Sequence, residues 1–111
     1  WGYTPLESIA FGIPTITTDL AGFGLWAKKH VTGNNISEGV AVVNRDDFNY
    51  FEVADAITSS ILALAGKDKK EMAEIRKRSF CLAAKAEWSK FIVYYEEAFR
   101  IALEHASKRN N

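Results

Sequence analysis

Gly39-Val40-Ala41-Val42-Val43 is a continuous apolar run dominated by β-branched valine. Such a run suits a strand covered on both faces, as the strands of a parallel sheet are. It is expected to pair beside a second short strand, Thr15 to Thr18. The segments around these two strands read as helices, so the fold class is α/β, with a parallel sheet of about two strands and flanking helices.

The helix before the first strand has the most informative start. In the opening string W-G-Y-T-P-L-E-S-I-A-F-G-I-P-T-I-T-T, Thr4 is an N-cap type and Pro5 suits the first helical position, where its missing N–H would have no partner. Glu7 stands three residues after the cap. A helix is therefore expected from Thr4 to Phe11, with Leu6, Ile9, Ala10 and Phe11 on its buried side. Gly12 can supply the positive φ of a C-terminal cap, and Pro14 prevents continuation. Gly2 enters the helix with no side chain to block close approach, and the first backbone N–H groups point outward at the positive end of the helix dipole. That is the chemistry of a phosphate site, although T-P-x-E alone is also the signature of a well-capped helix.

Composition removes several alternatives. The chain has 111 residues, 48% of them hydrophobic and 13% aromatic, enough for one small domain with a core. Its 14 basic and 14 acidic side chains cancel, so no overall field attracts nucleic acid or an anionic membrane. The single cysteine, Cys81, cannot form an internal disulfide. It falls in an amphipathic helical pattern without ligand-spaced His or Cys, and reads as a buried structural thiol. No apolar run approaches the roughly 20 residues needed to span a bilayer, and nothing resembles a signal peptide. A reduced, cytoplasmic setting is expected.

The remaining elements follow from local signals. The glycines of Asp19 to Gly24 permit close approach of a ligand, or equally a tight strand-to-helix connection. A short helix is expected from about Leu25 to His30, with His30 solvated near its end, where positive charge is mildly favoured. Asp46 and Asp47 lie in a polar loop, with nothing else at metal-ligand spacing nearby. Asn49 with Glu52, and Asp68 with Glu71, repeat the cap-to-third-residue pattern. They open a helix through Phe51, Ala54, Ile57, Ile61 and Leu64 to Gly66, and another carrying Met72, Ile75, Phe80, Leu82 and Ala83 among basic residues. Trp88, Phe91, Ile92, Tyr95, Ala98, Phe99 and Ala102 trace one apolar stripe of a third long helix. The tail from Ser107 to Asn111 is polar and expected to fray.

Taken whole, W-G-Y-T-P-L-E-S-x-x-x-G-x-P-x-I-T-T followed by A-G-F-G at Ala21 to Gly24 resembles the donor-nucleotide segment of the glycogen synthases of glycosyltransferase family 3. More loosely it resembles the E-x-F-G-x-x-x-x-E segment of retaining transferases built from two Rossmann-like domains. Trp88 with Tyr94-Tyr95 matches the W-x-x-x-x-x-Y-Y pattern of the terminal helix in glycogen synthases, which crosses back to brace the first domain. The resemblance spans nearly the whole chain. It implies that residues 1–111 form the C-terminal half of the donor domain, a partial Rossmann-like sheet with a crossing helix at about 88–106. A phosphate loop in a doubly wound fold ordinarily follows a strand, and none precedes Trp1, so a fragment is expected.

The resemblance implies transfer of glucose, with retention, from a nucleotide-glucose donor, UDP-glucose before ADP-glucose, to an α-1,4-glucan. No metal or other cofactor is demanded. The donor-nucleotide residues are Trp1, Gly2, Tyr3, Thr4 and Glu7. Backbone N–H groups at Gly2 and Tyr3, the Thr4 hydroxyl and the helix dipole would stabilise the departing β-phosphate, and Glu7 would hold the ribose hydroxyls. Trp1 and Tyr3 either pack on the nucleotide or on the protein. No certain catalytic residue is implied, because the first glutamate of the family's pair falls two residues before Trp1. Eukaryotic relatives bind glucose 6-phosphate through an arginine cluster, of which only Arg76 and Arg78 have matches here, so activity without that effector is expected. No nucleic-acid or membrane partner is expected, and the aromatic stripe is available for self-association of the fragment. Two alternatives stand beside this reading: a non-catalytic phosphate-binding or packing module of the same ancestry, and a family 4-type retaining sugar transferase.

Overall fold

The computed structural model describes residues 1–109. Two parallel strands, β1 (Thr15–Thr18) and β2 (Val40–Val43), pair with Thr15 opposite Val40 and Thr18 opposite Val43. The described residues also form five helices: α1 (Tyr3–Ala10), α2 (Gly22–Ala27), α3 (Tyr50–Ala65), α4 (Lys69–Ala84) and α5 (Trp88–Arg109). A 3-10 turn, Ile36–Glu38, leads into β2. All four residues of β2 are buried, whereas β1 is only half-buried. The expected two-strand parallel α/β architecture is therefore present.

The alternation of a strand divides the core. Val40 and Val42 join Ile9 of α1, Phe23 and Ala27 of α2 and Leu82 of α4 in one buried cluster, with Leu6, Trp26, Val31 and Ala83 packed against it. Ala41 and Val43 project to the other face, and α3 packs on β2 as well, burying Val53 and Ser60. The α1 apolar face is narrower than expected: Ile9 is buried, but Ala10 is exposed and Phe11 is 77% exposed. Phe11 is the C-cap residue and the following Gly12, at φ +68°, turns the chain against the Arg76 backbone.

Helix α4 is placed by polar ties as well as apolar contact. The buried Ser79 hydroxyl donates to the Gly39 carbonyl at 2.9 Å, satisfying a polar group that would otherwise be costly inside. Arg76 Nε donates to the Gly12 carbonyl at 3.1 Å, and Arg78 Nη1 to the Ser37 carbonyl at 2.8 Å. The two arginines thus act as struts between α4 and the segments that lead into β1 and β2. The expected Asp68–Glu71 capping box is present in both directions.

Four local expectations are corrected. Asn49 occupies the N-cap of α3 without capping it: its Oδ1 accepts from the Asp46 N–H and its Nδ2 donates to the Asn44 carbonyl, so the amide closes the preceding loop instead. Helix α2 spans Gly22–Ala27 and not Leu25 to His30, since tertiary packing overrides the poor helix propensity of its glycines. Cys81 is exposed, not buried, because the covered face of α4 is the one carrying Ile75, Ser79 and Leu82. His30 is exposed as a residue, but its ring stands 5.0 Å from Trp26. Burial of the ring, and then Lys85 and Lys29, push its pKa below the usual imidazole value, so positive charge there is disfavoured.

Helix α5 continues through Ser107 to Arg109, and the end of the tail expected to fray lies outside the described residues. Among its described residues none is buried; Phe91 and Ile92 are half-buried at its start, while Tyr94, Phe99 and Leu103 are 68%, 64% and 71% exposed.

Candidate functional site

Helix α1 runs back along β1, so its N-terminus lies at the carboxyl end of the strands. The backbone confirms the placement: the Phe23 N–H at the start of α2 donates to the Trp1 carbonyl at 2.8 Å, and the Asp19 N–H donates to the Val43 carbonyl at 3.1 Å. The starts of α1 and α2 and the loops after both strands therefore converge on one edge. In open parallel sheets this is the edge where ligands bind.

The helix begins one residue earlier than the sequence suggested. Gly2 is the N-cap, at φ 83° and ψ 104°, Tyr3 is the first helical residue, and no side chain caps the turn. A left-handed φ is open to glycine and strained for other residues, so Gly2 fixes the start and displaces Thr4 from the cap. Pro5 still falls in the first turn, where its missing N–H is harmless. The expected Thr4–Glu7 capping contact is absent. This leaves the N–H groups of Gly2, Tyr3 and Thr4 without intrahelical or side-chain partners, and the first turn carries no acidic residue to compete with an anion.

The five singled-out residues divide. Gly2, Tyr3, Thr4 and Glu7 are exposed around this turn, with Glu7 four residues after Tyr3 on the same helix face. Among the described residues Glu7 makes no side-chain cap bond. Trp1 faces the protein: its ring lies 6.0 Å from Phe23, 5.7 Å from Trp26 and 5.4 Å from Phe91, and it remains 42% exposed. Tyr3 is 71% exposed and, with Trp1, Trp88, Phe91 and Tyr95, lines an apolar groove of about 350 Å³ beside the turn. A larger depression of about 530 Å³ lies away from it, along Lys67 and, on α4, Lys69, Met72 and Arg76.

The A-G-F-G glycines serve the connection. A Cβ on Gly22 would sit 3.1 Å from the Trp1 Cα, and one on Gly24 would sit 1.9 Å from the Thr18 carbonyl oxygen. The space beside each is filled by the chain itself.

Asp19 was not singled out by its sequence context. Its side chain, 9% exposed, sits at the carboxyl end of β1 and ties three groups together. Lys28 Nζ and Asn44 Nδ2 donate to Oδ2 at 2.8 and 2.9 Å, and the Arg45 N–H donates to Oδ1 at 2.9 Å. The hydrogen bond from Lys28, then those from Asn44 and Arg45, hold the carboxyl well below the usual carboxylate range against the opposing effect of burial. Its contribution to stability is therefore complete above about pH 4 and is lost as pH falls through the depressed folded value. Asp19→Asn is expected to cost about 1 kcal/mol at neutral pH, Lys28 being largely solvated, and to flatten the acid side of the stability profile. Thermal melts of both proteins from neutral pH downward check this; parallel profiles would count against it.

Parallel strands, flanking helices and a helix start at the carboxyl edge of the sheet define an α/β protein with a two-strand parallel sheet, an arrangement consistent with part of a Rossmann-like domain. Comparison with known proteins gives the family. The model of the glycogen synthase family matches residues 1–110. The glycogen (starch) synthase of Caenorhabditis elegans is 30% identical over 104 residues, covering 94% of this chain and 15% of that protein. Those of Neurospora crassa and, from liver, Mus musculus are each 28% identical over 106 residues, covering 96% of this chain and 15% of the relative. The chain belongs to the glycogen synthase family and spans about 15% of the length of these relatives. No described helix is long and apolar enough to cross a membrane.

Proposed function

We propose that these residues form the phosphate-binding half of the donor domain of a retaining glucosyltransferase, which transfers glucose from UDP-glucose to the end of an α-1,4-glucan in the cytoplasm. The observation that carries this reading is the uncapped start of α1 at the carboxyl edge of the sheet, with Gly2 at positive φ and no first-turn carboxylate. Family membership supplies the reaction class.

In the proposed reaction the bond from the sugar C1 to the β-phosphate oxygen breaks as the acceptor hydroxyl attacks the same face. The departing phosphate takes the acceptor's proton. Negative charge grows on that phosphate, and the N–H groups of Gly2, Tyr3 and Thr4, with the Thr4 hydroxyl and the helix dipole, are the groups of this chain that stabilise it. Glu7 accepts from the ribose hydroxyls. The step needs no metal or other cofactor from these residues. Trp1 is assigned to holding the turn, since its ring is already engaged by Phe23, Trp26 and Phe91. Activation by glucose 6-phosphate is not part of the proposal, because Arg76 and Arg78 are committed to the Gly12 and Ser37 carbonyls.

Glu7→Gln, made in the longest natural protein that carries these residues, is expected to lower kcat/KM for UDP-glucose by roughly ten- to a hundredfold, the worth of a hydrogen bond to a charged group. Glu7 is exposed, so the fold is expected to survive. Unchanged kcat/KM would contradict its assigned role. Absence of any transfer by the parent protein would favour the non-catalytic module.

A further inference from the structure

Helix α5 is joined to the body through few side chains, and one of them reaches the candidate site. Phe91, half-buried, lies edge-on to Trp1 at 5.4 Å and 6.1 Å from Trp26. Trp1 is held on its other sides by Phe23 and Trp26, its carbonyl accepts from the Phe23 N–H, and its backbone lies close against Gly22. The next residue is Gly2, whose Cβ position is open space and whose φ is +83°. A glycine there has the widest choice of backbone conformation, and a side chain at that position would meet no neighbour. Restraint on the turn comes from the residues that flank it, Trp1 on one side and the first turn of α1 on the other.

We infer that Phe91 is a positioning residue: by closing the aromatic cage on Trp1 it fixes the Gly2 turn, and with it the direction of the N–H groups at the start of α1. The inference rests on the donor-site reading for its consequence, since it is the proposed phosphate that those N–H groups meet. It gives α5 a task at the donor site in addition to any contact made by its exposed stripe. Loss of Phe91 leaves the three N–H groups in place chemically and lets Gly2 sample other conformations, so binding must first order them.

The test uses the longest natural protein carrying these residues, with Phe91→Ala, Phe91→Tyr as the conservative variant, and Phe99→Ala as a control on the exposed part of the same helix. Hydrogen exchange at the Phe23 amide reports the Trp1 bond directly, and exchange across Val40–Val43 reports opening of the sheet. Phe91→Ala is expected to speed exchange at Phe23 about tenfold, the scale of one aromatic contact, without changing Val40–Val43. Its affinity for UDP is expected to fall by roughly five- to tenfold on the same scale, with Phe91→Tyr and Phe99→Ala close to the parent. Unchanged exchange at Phe23 in Phe91→Ala overturns the cage. Faster exchange with unchanged UDP affinity overturns the link to the donor site. Should the parent fail to bind UDP while Phe23 responds as expected, the cage stands and the donor-site reading falls.

Discussion

Gly24→Ala is expected to abolish stable folding, or to cost about 4 kcal/mol or more if a folded population survives. The added Cβ would lie 1.9 Å from the Thr18 carbonyl oxygen, 2.8 Å from the Thr18 carbonyl carbon and 3.1 Å from the Asp19 Cα. These are backbone atoms at the end of β1, so no rotamer change relieves the clash. Either α2 must lift away, taking the buried Phe23 and Ala27 out of the core, or β1 must leave β2. A domain has only about 5–15 kcal/mol to lose. Gly33→Ala is the control: its φ is +60° with nothing within 4 Å of the added carbon, so the cost is the backbone strain alone, about 1 kcal/mol. Urea unfolding followed by circular dichroism distinguishes them. Equal midpoints for the two variants would show that the approach of α2 to β1 is not as described.

The 111-residue chain by itself is expected to transfer glucose at a rate more than about a hundredfold below that of the longest natural protein containing it, because orienting two substrates supplies several powers of ten. Its sheet has two strands, of which β1 is half-buried, and α5 buries none of its described residues. The proposed phosphate turn lies open to solvent on one edge of this unit. Nothing in the described residues closes over it to exclude water or hold an acceptor against the donor. The uncovered aromatics of α5 are expected to promote association of the isolated chain. Parallel assays with UDP-glucose and glycogen check the prediction, and turnover by the 111-residue chain within a hundredfold of the longer protein would refute it.

Local chemistry made much of this fold readable. The valine run of β2, the Asp68–Glu71 capping box, the positive φ of Gly12 and the start of α5 at Trp88 are each determined by a few neighbouring residues. The first turn of α1 was readable in kind but not in register. Thr4 and Pro5 satisfy capping rules, yet a glycine two residues earlier reaches a conformation that starts the helix sooner. What remained hidden depends on distant partners. Asp19 acquires its role from Asn44 and Arg45, brought beside it only when β1 and β2 pair. Ser60 is buried although polar, while Phe51 and Ile61 of the same helix are 78% and 54% exposed, because the orientation of α3 is set by its contact with β2 and the 3-10 turn. The family string at residues 1–24 was recognisable for a physical reason: Gly22 and Gly24 are fixed by close backbone approach, and Gly2 and Gly12 by the positive φ at the two ends of α1.

The central claim is that the start of α1 receives the donor phosphate, and the amide resonances of these residues in the longest natural protein that carries them test it directly. Titration with UDP, and separately with inorganic phosphate, is expected to shift the amides of Gly2, Tyr3 and Thr4 first and farthest. Shifts confined to α4 around Arg76, where the basic depression lies, with Gly2 to Thr4 unmoved, would contradict the account.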